Sequence, residues 1–202
     1  PESYLTSCIE PVLTTTLATQ EKQGGFLIPE SSIEYEGEKI AYLCYTSEYY
    51  KTCTVQKPMI KAQVEKELTS VLSSKAKSCM DSLVSEYRKR GYEVSVSDVK
   101  MSVDIVPGKI AVAITSPLRI TKESTQTFDR FDLSIKSESY DLLLISENLV
   151  DYESTFGDSE ITDYLRKYTN LKIQKNKIDN RIKIYRVSNS ITNDRFLFAS
   201  RS

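Results

Sequence analysis

The feature that most constrains the fold of this chain is a change in the spacing of its apolar residues at Gly91. Before Gly91, apolar side chains recur at intervals of three and four, which is the spacing of one face of an α-helix. They are Ile60, Val64, Leu68, Val71, Leu72, Ala76, Cys79, Leu83 and Tyr87. Proline is tolerated at a helix start and glycine favours a helix end. The spacing therefore predicts one long amphipathic helix between Pro58 and Gly91.

After Gly91 the apolar residues alternate with polar ones, which is the pattern of a half-buried β-strand. They are Val99, Met101, Val103 and Ile105, then Ile110, Val112 and Ile114, then Phe131, Leu133 and Ile135. Pro107-Gly108 separates the first two groups and predicts a tight turn. The pattern indicates an antiparallel meander over residues 92–136, with one face packed on the long helix.

The flanking segments extend this α+β pattern. Residues 3–23 have helical spacing, and Pro11 predicts a kink or a late helix start there. Gly24-Gly25 predicts a left-handed helix end rather than a phosphate loop. A hairpin or closed loop is expected over residues 40–54, and helices over 142–156 and about 159–168.

Residues 171–200 return to strand-like patterning, with a turn at Asp179-Asn180 and a last strand at 195–199 that would close the sheet. The fold class expected is α+β, with long amphipathic helices packed on an antiparallel β-sheet. A chain of 202 residues with 40% hydrophobic and 27% charged residues is long enough to bury one core, so we expect a single soluble domain over residues 1–202.

Charge and hydropathy narrow the class of partner. The chain has 27 Lys and Arg against 28 Asp and Glu, a net charge of −1, so no overall field attracts nucleic acid or an anionic membrane. The apolar runs of the sequence, such as residues 142–145, are far too short to span a bilayer. The sequence begins at Pro1 without a leader, so we expect that a signal or membrane anchor precedes this segment and that any membrane contact is made through it.

The chain has four cysteines and no histidine. Without histidine, imidazole-dependent acid–base catalysis and Ser-His or Cys-His nucleophiles are excluded, and so is the commonest zinc ligand. The cysteines form no CxxC pair, which argues against a four-cysteine zinc site. We therefore predict no catalytic residues, no cofactor and no metal, although a carboxylate-only hydrolase that uses Asp129, Asp132 or Glu138 stays an alternative.

Disulfide bonds are the better interpretation of Cys8, Cys44, Cys53 and Cys79. Three connectivities are open, and buried free thiols in a cytosolic protein are a further alternative. The pairing Cys44–Cys53 with Cys8–Cys79 is favoured, because the first pair brackets the predicted hairpin and the second lies on two helix faces. Disulfides would indicate an oxidising, extracytoplasmic compartment.

Two surfaces are candidates for binding a partner. Four tyrosines, Tyr42, Tyr45, Tyr49 and Tyr50, lie in or beside the Cys44–Cys53 loop, where they could either contact a protein or polymer or pack onto the long helix. The second surface is a basic segment over residues 166–186. Its candidates for binding nucleic acid or another anionic polymer are Lys172, Lys175, Lys177, Arg181, Lys183 and Arg186. The alternative is a solvated sheet face whose lysines protect an edge strand.

Several short motifs resemble an uncharacterised group of archaeal membrane-anchored proteins, in which a pilin-like hydrophobic segment precedes a soluble domain. The motifs are Cys8 in the first helix, Gln23-Gly24-Gly25-Phe26, Cys79 in the long helix, and the closing Phe196-Leu197-Phe198-Ala199-Ser200-Arg201. The resemblance implies a surface-exposed domain tethered by an N-terminal helix, with Cys8 and Cys79 bridged. It implies no activity. We therefore expect a structural, adhesive or protein-interaction domain at the cell surface or envelope.

Overall fold

The computed structural model describes residues 1–167, 169–192 and 194–202. The helices in these residues are α1 Glu2–Lys22, α2 Ile60–Lys89, α3 Ser139–Phe156 and α4 Thr162–Lys167. The first five strands are β1 Ser32–Tyr35, β2 Glu38–Tyr45, β3 Thr54–Val55, β4 Glu93–Val96 and β5 Lys100–Val106. The other five are β6 Lys109–Thr121, β7 Thr125–Lys136, β8 Leu171–Lys177, β9 Ile182–Asn189 and β10 Arg195–Arg201. The α+β fold class predicted from the sequence is confirmed.

Most predicted elements have the expected place, with local differences. Helix α1 begins at Glu2, so Pro11 does not delay its start, and the predicted late start is wrong. Strand β1 was not predicted, and β4 lies within the predicted meander but was not identified as a separate strand, because each has only four residues and too few alternations to show a period. Tyr168, at the end of the last predicted helix, lies outside the described residues.

The described residues group into two compact units. The first contains Pro1–Thr16 and Glu65–Lys136, and the second contains Leu17–Val64 and Ser137–Ser202. The second unit is therefore built from two segments that are distant in sequence. Whether the chain behaves as the single domain expected over residues 1–202 stays a prediction.

The first unit contains the predicted meander. Strand β6 is central: β4 and β5 pair with successive parts of one of its edges and β7 pairs with the other, all antiparallel. Alternate residues of these strands are buried, and so is one face of α2. The Glu65 carboxylate accepts the backbone N–H of Ile105 at 2.7 Å, which joins α2 to β5. This bond brings the start of α2 to β5, and the packing of the whole helix on the sheet stays a prediction.

A proline causes the one irregularity in the β6–β7 ladder. Arg130 pairs with Thr115 and Phe128 pairs with Leu118, so β6 has one more residue than β7 in this interval. Pro117 lies in the interval and has no N–H to donate, which is why prolines within sheets are confined to edges and bulges. Its carbonyl instead accepts the N–H of Ser97 at 3.0 Å.

Both predicted disulfides are present. Cys8 on α1 and Cys79 on α2 are bonded, with Cα atoms 6.1 Å apart, and Cys44 and Cys53 are bonded, with Cα atoms 5.3 Å apart. The chain has no free cysteine, so the alternative of four thiols does not hold for this structure. Two disulfides indicate that the chain folds in an oxidising environment.

The second unit is built on a mixed sheet in the order β1-β2-β10-β9-β8, with β3 added to β2. The final strand, β10, lies between β2, to which it is parallel, and β9, to which it is antiparallel. The C-terminal strands were expected to close the meander. They form a second sheet instead, because their hydrogen-bonding partners are β2 and its neighbours.

Helix α3 packs on one face of this sheet, and its inward face is rotated from the one expected. The spacing of apolar residues placed Tyr152 and Phe156 in the core, but these side chains are 44% and 69% exposed. Glu153 is fully buried in their place. The carboxylate turns inward because the sheet offers it hydrogen-bond donors, which are described below.

The end of α1 shows why the two glycines are needed there. Gly24 and Gly25 have φ angles of +75° and +92°, in the left-handed region that ends helices. A Cβ added to Gly25 would lie 2.7 Å from the Cδ1 atom of Ile60, so a side chain would also collide with the start of α2. The predicted helix end is confirmed. Among the helices of the described residues, none combines the length and hydropathy that crossing a membrane requires.

Candidate functional site

The candidate site is built on the loop that the Cys44–Cys53 disulfide closes. Cys44 lies at the end of β2 and Cys53 precedes β3, and both are buried. The loop is fixed at its first residue as well, because the Thr46 N–H donates to the carbonyl of Arg201 at 2.9 Å. A short loop tied at its base in this way has little conformational freedom left to lose on binding.

Tyr49 and Tyr50 lie at the tip of this loop and point away from the core. Their exposed fractions are 66% and 98%, and their ring centroids are 5.1 Å apart in an edge-on arrangement. Tyr50 has a φ angle of +60°, an unusual conformation for a bulky residue. Residues with strained backbone conformations cluster at functional sites. Burial of the side chain does not offset the strain at Tyr50, because this side chain is exposed.

Arg181 approaches Tyr49 from the turn between β8 and β9. Its guanidinium carbon lies 4.8 Å from the centroid of the Tyr49 ring, within the range of a cation–π interaction. Two hydrogen bonds fix the conformation of this turn. One carboxylate oxygen of Asp179 accepts them from the backbone N–H groups of Arg181 and Ile182, each at 2.7 Å. These two hydrogen bonds lower the pKa of Asp179. Asp179 therefore stays ionised and holds Arg181 in place.

The loop and the turn border a cleft of about 400 Å³, which we call the tyrosine cleft. It is lined by Tyr49, Tyr50, Lys51, Thr52, Gly157, Asn180, Arg181 and Ser202. Lys51 is already paired with Glu48, at 2.5 Å. By contrast, no carboxylate of the described side chains lies within ion-pair distance of Arg181. The tyrosine cleft thus combines two exposed aromatic rings with one guanidinium that can still take an anion.

A buried polar cluster lies beneath the cleft, centred on Glu153 near the end of α3. One carboxylate oxygen accepts from the Tyr185 hydroxyl and from the N–H of Ser159, the latter at 3.1 Å. The other accepts from the Lys183 ammonium group at 2.8 Å and from the Ser200 hydroxyl at 3.0 Å. Burial, and then the Glu153 carboxylate, raise the pKa of Tyr185, so its hydroxyl stays a donor. Every donor near this carboxylate is thereby satisfied.

This buried cluster holds the floor of the tyrosine cleft. Lys183 also donates to the carbonyl of Gly157 at 2.5 Å, and Gly157 lines the cleft. Ser200 contacts the sulfur of Cys53, with an Oγ–Sγ distance of 3.6 Å, at the base of the tyrosine loop. The positive charge of Lys183 also faces the carbonyl end of α3, where the helix dipole favours a cation.

The structure separates the four predicted tyrosines into two pairs. Tyr42 and Tyr45 lie on β2, half-buried and edge to face, with ring centroids 5.3 Å apart. The Tyr45 hydroxyl accepts a hydrogen bond from Arg201 at 2.8 Å. Burial is the main reason that the pKa of Tyr42 is raised. Tyr42 and Tyr45 belong to the sheet, whereas Tyr49 and Tyr50 belong to the cleft.

The six candidate residues of the basic segment are not brought together on one surface. Lys183 is buried and forms an ion pair with Glu153, and the ammonium group of Lys175 lies 2.9 Å from the Asp158 carboxylate. Arg186 lies 2.6 Å from the Glu36 carboxylate, and it projects from β9 on the face opposite to Lys183. Lys172 and Lys177 are exposed on the edge strand β8. Of the six, only Arg181 lines the cleft.

The carboxylates named for a hydrolase do not all belong to one unit. Asp129 and Asp132 are exposed on β7 in the first unit, and Asp132 pairs with Arg130 at 2.8 Å. Glu138 precedes α3 in the second unit. Asp129 and Asp132 lie three positions apart on the same extended strand. Catalysis by carboxylates alone stays an untested alternative.

No family model, curated protein or solved structure matches this chain. The resemblance to archaeal membrane-anchored proteins therefore rests on its short motifs and stays a prediction. The function has to be inferred from the chemistry of the residues themselves.

Sequence reasoning missed the buried cluster around Glu153. Lys183 was assigned to the solvated face of β9 because Ile182 and Ile184 alternate with Arg181 and Lys183. Strand β9 is internal to the sheet and largely buried on both faces. The alternation of apolar and charged residues along it therefore does not indicate which side chains face solvent. The sequence did contain an indication of this cluster. Glu153 lies four positions after Leu149 on the apolar face of α3, and a carboxylate buried there requires a cation or hydrogen-bond donors.

A second buried carboxyl group, that of Glu21, lies at the end of α1 within the second unit. It accepts a hydrogen bond from the Ser139 hydroxyl at 2.5 Å and is only 8% exposed. Burial raises the pKa of Glu21 to about 7, and the negative charge of Asp194 adds to the effect, whereas the hydrogen bond from Ser139 opposes it.

Replacing Glu21 with glutamine is expected to stabilise the protein at pH 8 and to leave its stability at pH 4 unchanged. Between pH 4.5 and about 7 the folded chain keeps a proton that the unfolded chain releases, so stability falls as pH rises through this window. Glutamine has no proton to lose in this range, so the variant should have a free energy of unfolding about 2–4 kcal/mol higher than that of wild type at pH 8. Urea unfolding from pH 4 to pH 8 measures it, with Glu10→Gln on the exposed side of α1 as control. Parallel pH profiles for wild type and Glu21→Gln would contradict it.

Proposed function

We propose that this chain is an extracytoplasmic adhesive domain of the cell surface or envelope, which binds a macromolecular partner through the tyrosine cleft. The observation that carries the proposal is the exposure of Tyr49 and Tyr50, at 66% and 98%, on a loop closed by a disulfide. Large apolar side chains on a fixed backbone are unfavourable in water and gain free energy when a partner covers them.

The composition of the cleft supports recognition of a partner. Tyrosine and arginine are the residues most enriched at binding hot spots, and tyrosine gives a large contact area for few rotatable bonds. Arg181 and Tyr49 already contact each other in the free protein. A preformed pair of this kind costs little conformational entropy when the partner binds.

The two disulfides support the compartment in the proposal. Secreted and surface domains keep disulfides, whereas cytosolic thiols are held reduced. Adhesion needs no chemistry on the partner, which agrees with a chain that has no histidine.

Replacing both loop tyrosines with serine is expected to reduce binding of the purified chain to intact source cells or to their isolated envelope by roughly tenfold or more. The melting temperature should change by less than about 2 °C, because both side chains are exposed. Fluorescently labelled protein and a binding isotherm give the measurement. The matched control is Tyr4→Ser/Ile28→Ser, which removes exposed apolar area from other sites.

Two results would contradict the proposal. One is equal binding by wild type, Tyr49→Ser/Tyr50→Ser and the control variant, which would show that any adhesion occurs elsewhere. The other is a loss of several degrees in melting temperature for the loop variant, which would show that the tyrosines stabilise the fold.

A further inference from the structure

We propose that the ligand of the tyrosine cleft is an acidic sugar residue of a surface polysaccharide, its carboxylate bound by Arg181 and its ring stacked on the loop tyrosines. This inference rests on the proposed function and adds the chemical class of the partner.

The guanidinium of Arg181 supplies the anion contact. It presents five N–H donors in a plane, a geometry that matches the two oxygens of a carboxylate. Asp179 fixes the backbone of Arg181, and the guanidinium carbon lies 4.8 Å from the centroid of the Tyr49 ring. The N–H edge of the group is left for a ligand, since no carboxylate of the described side chains is paired with it. A carboxylate bound there would complete an interaction that the described side chains leave open.

The two tyrosines supply the apolar contact. A sugar ring carries C–H groups on its faces, and these pack against aromatic rings as other apolar groups do. Tyr50 is 98% exposed, so its ring is accessible to a ligand. Such a ring is costly to leave in water and requires a ligand with a flat apolar face. An isolated inorganic anion has none.

The size and polar lining of the cleft fit one or two sugar rings. Its volume of about 400 Å³ lies in the lower part of the range for small-molecule sites. Thr52 and Asn180 line it, and a hydroxyl and a carboxamide can both donate to and accept from sugar hydroxyls. The cleft therefore holds an anion contact, a stacking surface and groups that match hydroxyls.

The charges near the cleft favour a sugar acid over a nucleic acid. A nucleic acid is held by a row of cations along its phosphates. Here Lys51 is paired with Glu48, and Lys175 and Lys183 are paired with Asp158 and Glu153. One guanidinium is left for an anion at the cleft, which suits one carboxylate per sugar residue.

Calorimetric titration with galacturonate oligosaccharides tests the proposal, and their methyl esters test the role of the carboxylate. Wild type should bind the acid form and bind the ester roughly tenfold more weakly, because the ester loses the charged hydrogen bonds. Arg181→Gln should weaken binding of the acid by a similar factor, and so should Tyr50→Ser. Lys172→Gln, an exposed cation on the edge strand β8, is the matched control and should bind within about twofold of wild type.

The possible results separate this inference from the proposed function. Equal binding of acid and ester, or equal loss in Arg181→Gln and Lys172→Gln, would overturn the acidic-sugar assignment. If the oligosaccharides do not bind up to millimolar concentration but Tyr49→Ser/Tyr50→Ser still loses adhesion to the envelope, the assignment is overturned and the proposed function stands. If adhesion is also unchanged in the tyrosine variant, both are overturned.

Discussion

Replacing Glu153 with glutamine is expected to lower the free energy of unfolding by about 3–5 kcal/mol, because the buried Lys183 charge loses its buried carboxylate and is left with the exposed Asp158 carboxylate, 3.2 Å away, as its ionic partner. Lys183 is 6% exposed and its ammonium lies 2.8 Å from the Glu153 carboxylate. For a chain of this length the loss corresponds to a fall in melting temperature of roughly 6–20 °C. Urea unfolding and differential scanning calorimetry measure the two quantities.

Two further variants separate the buried ion pair from general effects of charge. Glu86→Gln removes an exposed carboxylate that lies 3.2 Å from Lys89, and it should change stability by less than about 0.5 kcal/mol. Glu153→Gln/Lys183→Met removes both buried charges and should recover part of the loss. A cost below about 1 kcal/mol for Glu153→Gln alone would contradict the prediction and would mean that Asp158 or water compensates the Lys183 charge.

Removal of the two disulfides is expected to destabilise the chain by different amounts. Cys8 and Cys79 are separated by 71 positions, and Cys44 and Cys53 by 9. A cross-link between distant residues restricts the unfolded chain more, so Cys8→Ser/Cys79→Ser should cost about 4 kcal/mol and Cys44→Ser/Cys53→Ser about 2.5 kcal/mol. Urea unfolding of each double variant beside the oxidised wild type gives the two values.

The order of the two losses tests the physical explanation. A larger loss for the short loop would mean that the native contacts of Cys44 and Cys53, and not the entropy of the unfolded chain, dominate. The Cys44→Ser/Cys53→Ser variant should also bind its partner more weakly, since Tyr49 and Tyr50 would lie on an open loop. The Cys8→Ser/Cys79→Ser variant leaves that loop closed and serves as the matched control.

Local sequence patterns predicted much of the fold, because the elements that carry them are long and half-buried. The strand predicted over residues 125–136 coincides with β7, and the helix predicted after Pro58 coincides with α2. In both elements a sustained alternation between core and solvent makes the period visible. The preferred cysteine pairing is also confirmed, since it followed from the elements on which the cysteines lie.

Long-range pairing could not be predicted in the same way. Strand β10 is parallel to β2, about 150 residues earlier in the chain, and nothing in either segment specifies that neighbour. The burial of Lys183 follows from the same pairing, because it places β9 inside the sheet. Part of the candidate site was predicted, namely the closed loop with Tyr49 and Tyr50. Arg181 was predicted only as part of a basic segment, because its contact with Tyr49 depends on the fold.

The position of β10 in the second sheet has a consequence for biosynthesis. Strand β2 is made early and remains without its central neighbour until Arg195–Arg201 emerge, which at ~5–20 residues per second is a delay on the order of ten seconds. During that time its backbone donors and acceptors are open to other chains. The Cys44–Cys53 loop, in contrast, needs only neighbouring residues and can close as soon as both cysteines reach an oxidising compartment. We therefore expect aggregation during synthesis unless the early strands are kept apart until the last one arrives.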